Sequence, residues 1–158
     1  MNIFRVDNNP FRAAEMLCDK HVVKMVLETA QLLSSAHHML DTPVAPKVYK
    51  LTHKNHPCAL WVRSSKRNYS WTLKHFMALL HEYTYRYGKT HKSARLLPYF
   101  CQSNVLPIKE SRETDPPQCV YDDCKDDDVV KAYQKYYAAR SKEIDMRWTK
   151  REVPKFMR

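Results

Sequence analysis

The sequence predicts an all-α protein, a compact single-domain helical bundle with a long irregular region before the C-terminal helix, and three observations predict it. Apolar residues recur at three- and four-residue steps in three separate stretches, the spacing that lines one face of a helix. Glycine occurs once, at Gly88. That leaves little material for hairpin turns and none for the glycine-rich loops that cradle phosphates in nucleotide-binding α/β folds. The chain has 158 residues, long enough to bury one core and short for two.

The elements follow in order. Residues 1–7 form a short N-terminal arm. Asn8-Asn9-Pro10 reads as a helix start, with Asn9 as cap and proline at the first helical position, where its missing N–H costs nothing. Asp19 caps a second helix or marks a bend in the first. Beyond it Val22, Met25, Val26, Thr29, Leu32, Leu33 and Ala36 form a core-facing stripe. Residues 41–57 carry Pro43, Pro46 and Pro57 and read as a connecting loop. From His56-Pro57 one long amphipathic helix is predicted, carrying Leu60, Trp61, Tyr69, Leu73, Phe76, Met77, Leu80, Tyr83 and Tyr87 and stopped by Gly88. Residues 89–127 are rich in proline and charge and are predicted irregular, apart from a short turn near Leu96; long irregular regions are more often functional than idle. Asp126 to Asp128 then place acids at the positive end of a further helix marked by Val129, Val130, Ala132, Tyr133, Tyr136, Tyr137 and Ile144. Residues 148–158 form a basic tail.

Charge narrows the partners. Lysine and arginine number 27 against 17 acids, a formal +10, and a surplus of that size sets up a field that attracts polyanions. Joined to many aromatics, it points to a nucleic-acid backbone. Arg63, Lys66, Arg67 and Lys74 on the outer face of the long helix, with Arg5, Gln31, Arg86, Lys89 and Lys92, are the candidate nucleic-acid contacts, against the alternative of a solvated face. Five cysteines, an odd number, with no apolar signal segment at Met1, argue against an exported disulfide scaffold, and no run approaches the ~18 apolar residues of a membrane span. The expected setting is the cytoplasm of a bacterial or phage-infected cell.

On the helix after Asp19, the polar residues His21, Lys24, Glu28 and Gln31 fall on one face, opposite the core stripe. By spacing alone they also fit an ordinary solvated face with a Lys24–Glu28 pair. His37-His38 reads as favourable charge at a helix C-terminus.

The run Asp19-Lys20-His21, Glu28 seven residues past that histidine, and His56-Pro57 opening an aromatic-rich helix together resemble the phage pyrimidine-dimer DNA glycosylase family, of the phage endonuclease V type. The resemblance covers the first part of the chain, with a weaker likeness where Tyr136-Tyr137 matches an aromatic cluster near the family's C-terminus. It implies a small, basic, all-helical enzyme that needs no cofactor or metal and acts on double-stranded DNA, with Glu28 as the catalytic acid and His21 as an active-site histidine. It further implies that the chain's own N-terminal amine attacks the sugar carbon of a damaged nucleotide, forms a Schiff base and leads on to strand scission at the abasic site. Leu27 and Gln31 stand where the family keeps two arginines, and Asn2 is large for initiator methionine removal, so the Met1 amine itself is the first candidate nucleophile. An α-amine titrates near ~8 and needs little tuning, whereas Lys24, the second candidate, belongs to a class that titrates near ~10.4 and must be desolvated.

A base inside a duplex must be flipped before such an attack, which asks for aromatic surfaces beside a basic groove. Trp61, Trp71, Tyr83, Tyr85, Tyr87 and Trp148 are candidates, with Trp61, Tyr83 and Tyr87 expected in the core. Two other readings stand beside the enzyme: a non-catalytic helical nucleic-acid-binding or host-interaction protein, and a small metal-dependent hydrolase. For the last, His53-x-x-His56 with Cys58, or Cys119 with Cys124, offers ligands, but no complete four-ligand set stands at the usual spacing and no metal is expected.

Overall fold

The computed structural model describes residues 1–158 apart from the side chain of Ser103, and among the described residues the regular structure is all helical. Six α-helices run in order: α1 (Pro10–Met16), α2 (Asp19–Met39), α3 (Pro57–Val62), α4 (Lys66–Tyr87), α5 (Leu97–Phe100) and α6 (Val129–Arg140). Their ends follow local chemistry. The Asn9 side chain accepts the Phe11 amide at 2.9 Å ahead of Pro10, and Asp128 accepts the Val130 amide at 2.9 Å ahead of α6. Gly88 adopts a left-handed φ of 65° and closes α4.

Helix α4 is the spine. Helices α1 and α2 pack against it, and α3 packs against α2. Val22, Met25, Val26, Leu32 and Leu33 of α2 meet Phe76 and Leu79 of α4 in the core. Burying each such side chain contributes about 1.5–3 kcal/mol. Helix α6 closes the bundle with Tyr133 and Tyr137, both fully buried.

The structure differs from the sequence expectation in four places. The long helix predicted from Pro57 is two helices, broken at Ser64-Ser65. Ser64 Oγ donates back to Trp61 O at 2.8 Å and Ser65 Oγ accepts the Asn68 amide at 3.1 Å, so the two hydroxyls end one helix and cap the next. Helix α6 stops at Arg140 rather than running to Ile144, where Ser141 Oγ bonds to Ala138 O at 2.7 Å. The cap of α2 is Cys18, so Asp19 stands at the first helical position rather than before it, and the arm packs inward with Asn2 to Val6 buried. His37 carries no helix-end charge: it is fully buried, bonded at 2.8 Å to Thr42 Oγ1 and at 2.9 Å to Tyr69 OH, and burial pulls its pKa down to about 4. The region 89–127 has no long element, but a 3-10 turn at Lys92–Leu96 leads directly into α5. Among the described residues no helix is long and apolar enough to cross a membrane.

Candidate active site

The N-terminal turn of α2 is fixed from three directions. Arg86 of α4, buried, donates to Leu17 O at 2.8 Å, Glu15 O at 2.9 Å and Asp19 Oδ1 at 3.0 Å, tying the end of α1 to the start of α2. Its charge is balanced by Glu82 at 3.0 Å, a buried carboxylate that also pairs with Arg151. From the C-terminal tail, Thr149 Oγ1 donates to Asp19 Oδ2 at 2.7 Å and Trp148 Nε1 to Met16 O at 2.9 Å. Burial raises the Asp19 pKa, but the Thr149 hydroxyl and amide and the Arg86 guanidinium outweigh it, so the carboxyl stays below its ordinary value.

This arrangement corrects two expected phosphate contacts. Arg86 is sealed inside, its donors and charge spent on the helix junction. Arg5 is buried as well, paired with Glu113 at 2.6 Å, bonded to Asn8 Oδ1 and lying 5.0 Å over the Trp71 ring. Among the other candidates, Lys74, Lys89 and Lys92 are exposed, Arg67 is exposed but pairs with Glu110 at 3.5 Å, and Arg63, Lys66 and Gln31 are half-buried.

Along the polar stripe of α2, Lys24 is exposed and its Nζ lies 3.4 Å from Glu28 Oε1, whose side chain is 15% exposed. His21 does not face solvent as expected. Phe4 stacks on its ring at a centroid distance of 4.7 Å, and Tyr137 OH bonds to its Nδ1 at 2.9 Å. Burial, helped by the charges of Lys24 and Arg140, pulls the His21 pKa down to about 4, so the ring is neutral at physiological pH. Tyr137 OH also accepts the Cys18 amide at 2.6 Å, so one hydroxyl ties the His21 ring to the start of α2.

The N-terminal arm reaches this stripe through Phe4. Its φ of 52° is left-handed, a conformation that costs a bulky residue about 1–2 kcal/mol. Stacking on His21 and Tyr136 and edge contact with Tyr137 hold it there. The bend brings Asn2 to Cys119, whose carbonyl accepts Asn2 Nδ2 at 2.8 Å. There His56, Cys58 and Cys119 gather, with Cys58 Sγ 3.8 Å from Cys119 Sγ. The positive Met1 amine and the negative Glu28 carboxylate both act on this cluster: burial first, then the amine, push the His56 pKa down, while Glu28 pushes it up. Cys58 feels the same two charges, and its thiol is held protonated chiefly by its hydrogen bond to Cys119 and by burial. The arm, the start of α3 and the segment before α6 therefore meet at one place, around His56, Cys58 and Cys119.

Of the expected stacking surfaces, Trp61 and Trp71 are buried, with their indole N–H groups bonded to Thr114 Oγ1 and Asn8 O, and Tyr83, Tyr87 and Trp148 are half-buried. Tyr85 is exposed but lies beneath Arg151 and Lys150. Exposed apolar surface stands instead beside Glu28, at Val23 and Leu27 of the same helix. Spacing gave no sign of Phe4 as part of this region, offered Cys119 only together with Cys124, and showed Tyr137 only as a helix-face residue and half of a tyrosine pair.

Fold and site together define a small, basic, all-helical protein whose second helix carries Lys24 and Glu28 on the same stripe as a buried, neutral His21. Residues 1–96 match the family described as pyrimidine dimer DNA glycosylase, and because that is well over half of the chain, the chain belongs to this family. Comparison with curated proteins and with solved structures gave no match.

Proposed function

We propose that the protein is a DNA glycosylase with abasic-site lyase activity, acting on a damaged or modified base of duplex DNA through the Met1 amine and Glu28. The reading rests above all on one observation: residues 1–96 match the pyrimidine dimer DNA glycosylase family, and within that stretch Glu28 stands on α2 with its side chain largely shielded from water. In the reaction the neutral amine attacks C1′ of the damaged nucleotide, and the bond from C1′ to the base breaks, the base leaving with the electron pair. The Glu28 carboxylate, partly withdrawn from water, stabilises the positive charge that builds on the sugar as the base departs. Loss of the amine proton and opening of the sugar ring give the Schiff base, which acidifies the neighbouring C2′–H; removal of that proton expels the 3′ phosphate and cuts the strand. His21, neutral, serves as a hydrogen-bonding group rather than a cation. Lys24 remains the rival nucleophile. Val23 and Leu27 offer apolar surface to a displaced base, and Lys74, Lys89 and Lys92 are exposed cations for phosphates.

Borohydride trapping on duplex DNA with an abasic site or a pyrimidine dimer tests the proposal. A covalent adduct is expected, mapping to the N-terminal peptide and lost on acetylation of the α-amine. Mapping to Lys24 would move the nucleophile there. Glu28→Gln keeps the size and removes the charge, so base release should fall by about two or more orders of magnitude with little change in DNA affinity. Absence of both adduct and base release on such substrates would refute catalysis by these groups and favour a DNA-binding protein without chemistry.

A further inference from the structure

We infer that His56, Cys58 and Cys119 form a binding site for one Zn²⁺ or a similarly soft divalent cation. Their ligand atoms lie within 4.8 Å of one another, and they come from two remote parts of the chain. His56 and Cys58 open α3, while Cys119 arrives from the proline-containing segment before α6. The bond from Cys119 N to Pro117 O at 3.0 Å and that from Asn2 Nδ2 to the Cys119 carbonyl at 2.8 Å fix the position of Cys119.

The sulfur separation discriminates between uses of the pair. Two thiolates at ~2.3 Å from one tetrahedral zinc stand about 3.8 Å apart. The observed distance is 3.8 Å. A disulfide needs ~2.05 Å, which would require the two segments to close up. One imidazole and two thiolates form a borderline-soft donor set that suits zinc and disfavours magnesium or calcium. Cys58 is buried and the other two are half-buried, so the cluster is shielded yet open for an ion to enter. Loading sends both thiol protons to solvent and leaves two thiolates balancing the dication. It also competes with the bond of His56 Nδ1 to the Cys58 amide at 3.1 Å, because a ring that gives a lone pair to a metal cannot keep that cap unchanged. With three protein ligands, the fourth position of a tetrahedral ion falls to a water. Such an ion would tie the N-terminus and the segment before α6 to α3. The inference is independent of the glycosylase reading, since its readout is metal binding.

The test is titration of the reduced, metal-free, full-length protein with Co²⁺ and then Zn²⁺. One Co²⁺ per chain is expected, with thiolate-to-cobalt absorption in the near ultraviolet and the intense visible bands of a tetrahedral ion, both bleached by Zn²⁺. Cys119→Ser should abolish the thiolate band, His56→Ala should weaken binding by about tenfold or more, and Cys124→Ser should leave it intact. Circular dichroism checks that each variant remains folded. In the unaltered protein, saturating Zn²⁺ should protect Cys58 and Cys119, but not the exposed Cys101, from alkylation read by mass spectrometry. An octahedral spectrum without a thiolate band would overturn the site, as would binding unchanged by Cys119→Ser, or alkylation of Cys119 that Zn²⁺ does not slow.

Discussion

Acid should unfold this protein through three buried histidines. His21, His37 and His75 are 5%, 0% and 1% exposed, and burial holds the pKa of each at about 4 against an ordinary 6.5. The fold resists the proton in each case for a visible reason. His75 donates from Nδ1 to Pro10 O at 2.9 Å while its Nε2 is buried without a partner, so a second ring proton would have nothing to bond. His37 is bonded at both nitrogens, and His21 is enclosed by Phe4 and Tyr137. Because the folded pKa lies below the unfolded one, the unfolded chain binds more protons between these values, and stability falls as pH drops from about 6.5 toward about 4. At pH 5 each histidine withdraws about 2 kcal/mol, or roughly 6 together, against the ~5–15 kcal/mol that stabilises a whole domain. Melting followed by circular dichroism should therefore fall by about 12–24 °C between pH 7.5 and 5. In His75→Gln, whose amide can still reach Pro10 O, the pH slope should shrink by roughly a third. A melting temperature that moves by less than about 5 °C over this range would refute the neutral, buried assignment of these rings.

Two further substitutions probe how the site is held. Arg86→Met leaves Glu82 and Asp19 without their shared buried partner, so a loss of about 3–5 kcal/mol is expected by urea unfolding, and a loss under about 1 kcal/mol would contradict the internal role given to this arginine. Tyr137→Phe strips the hydroxyl from the Cys18 amide and from His21 Nδ1. It should cost about 1–3 kcal/mol in stability and shift the His21 imidazole resonances in NMR, whereas unchanged His21 signals would show that the hydroxyl does not bond to the ring.

The sequence by itself determined the helical class, the starts of α1 and α6 and the end of α4, because each depends on groups a few residues apart. Asn9 with Pro10, Asp128, and Gly88 at a left-handed φ act within one turn of the chain, and the stripe from His21 to Gln31 follows from helix geometry alone. The resemblance carried by Asp19-Lys20-His21 and Glu28 agreed with the family that residues 1–96 match. The break at Ser64-Ser65 was also local, but serine is tolerated inside helices, so periodicity carried the predicted helix across it. Tertiary structure decided what no spacing contains, namely which charges stay in water. Arg86 looked like one more cation on a basic helix until Asp19 and Glu82 enclosed it, and Arg5 until Glu113 and Trp71 did. His21 became neutral only because Phe4 and Tyr137, from opposite ends of the chain, closed over it. Cys58 met Cys119 across 61 residues for the same reason. A helix is written in hydrogen bonds between near neighbours, but the burial and partner of a side chain depend on which distant segment packs over it, and only the folded chain supplies that segment.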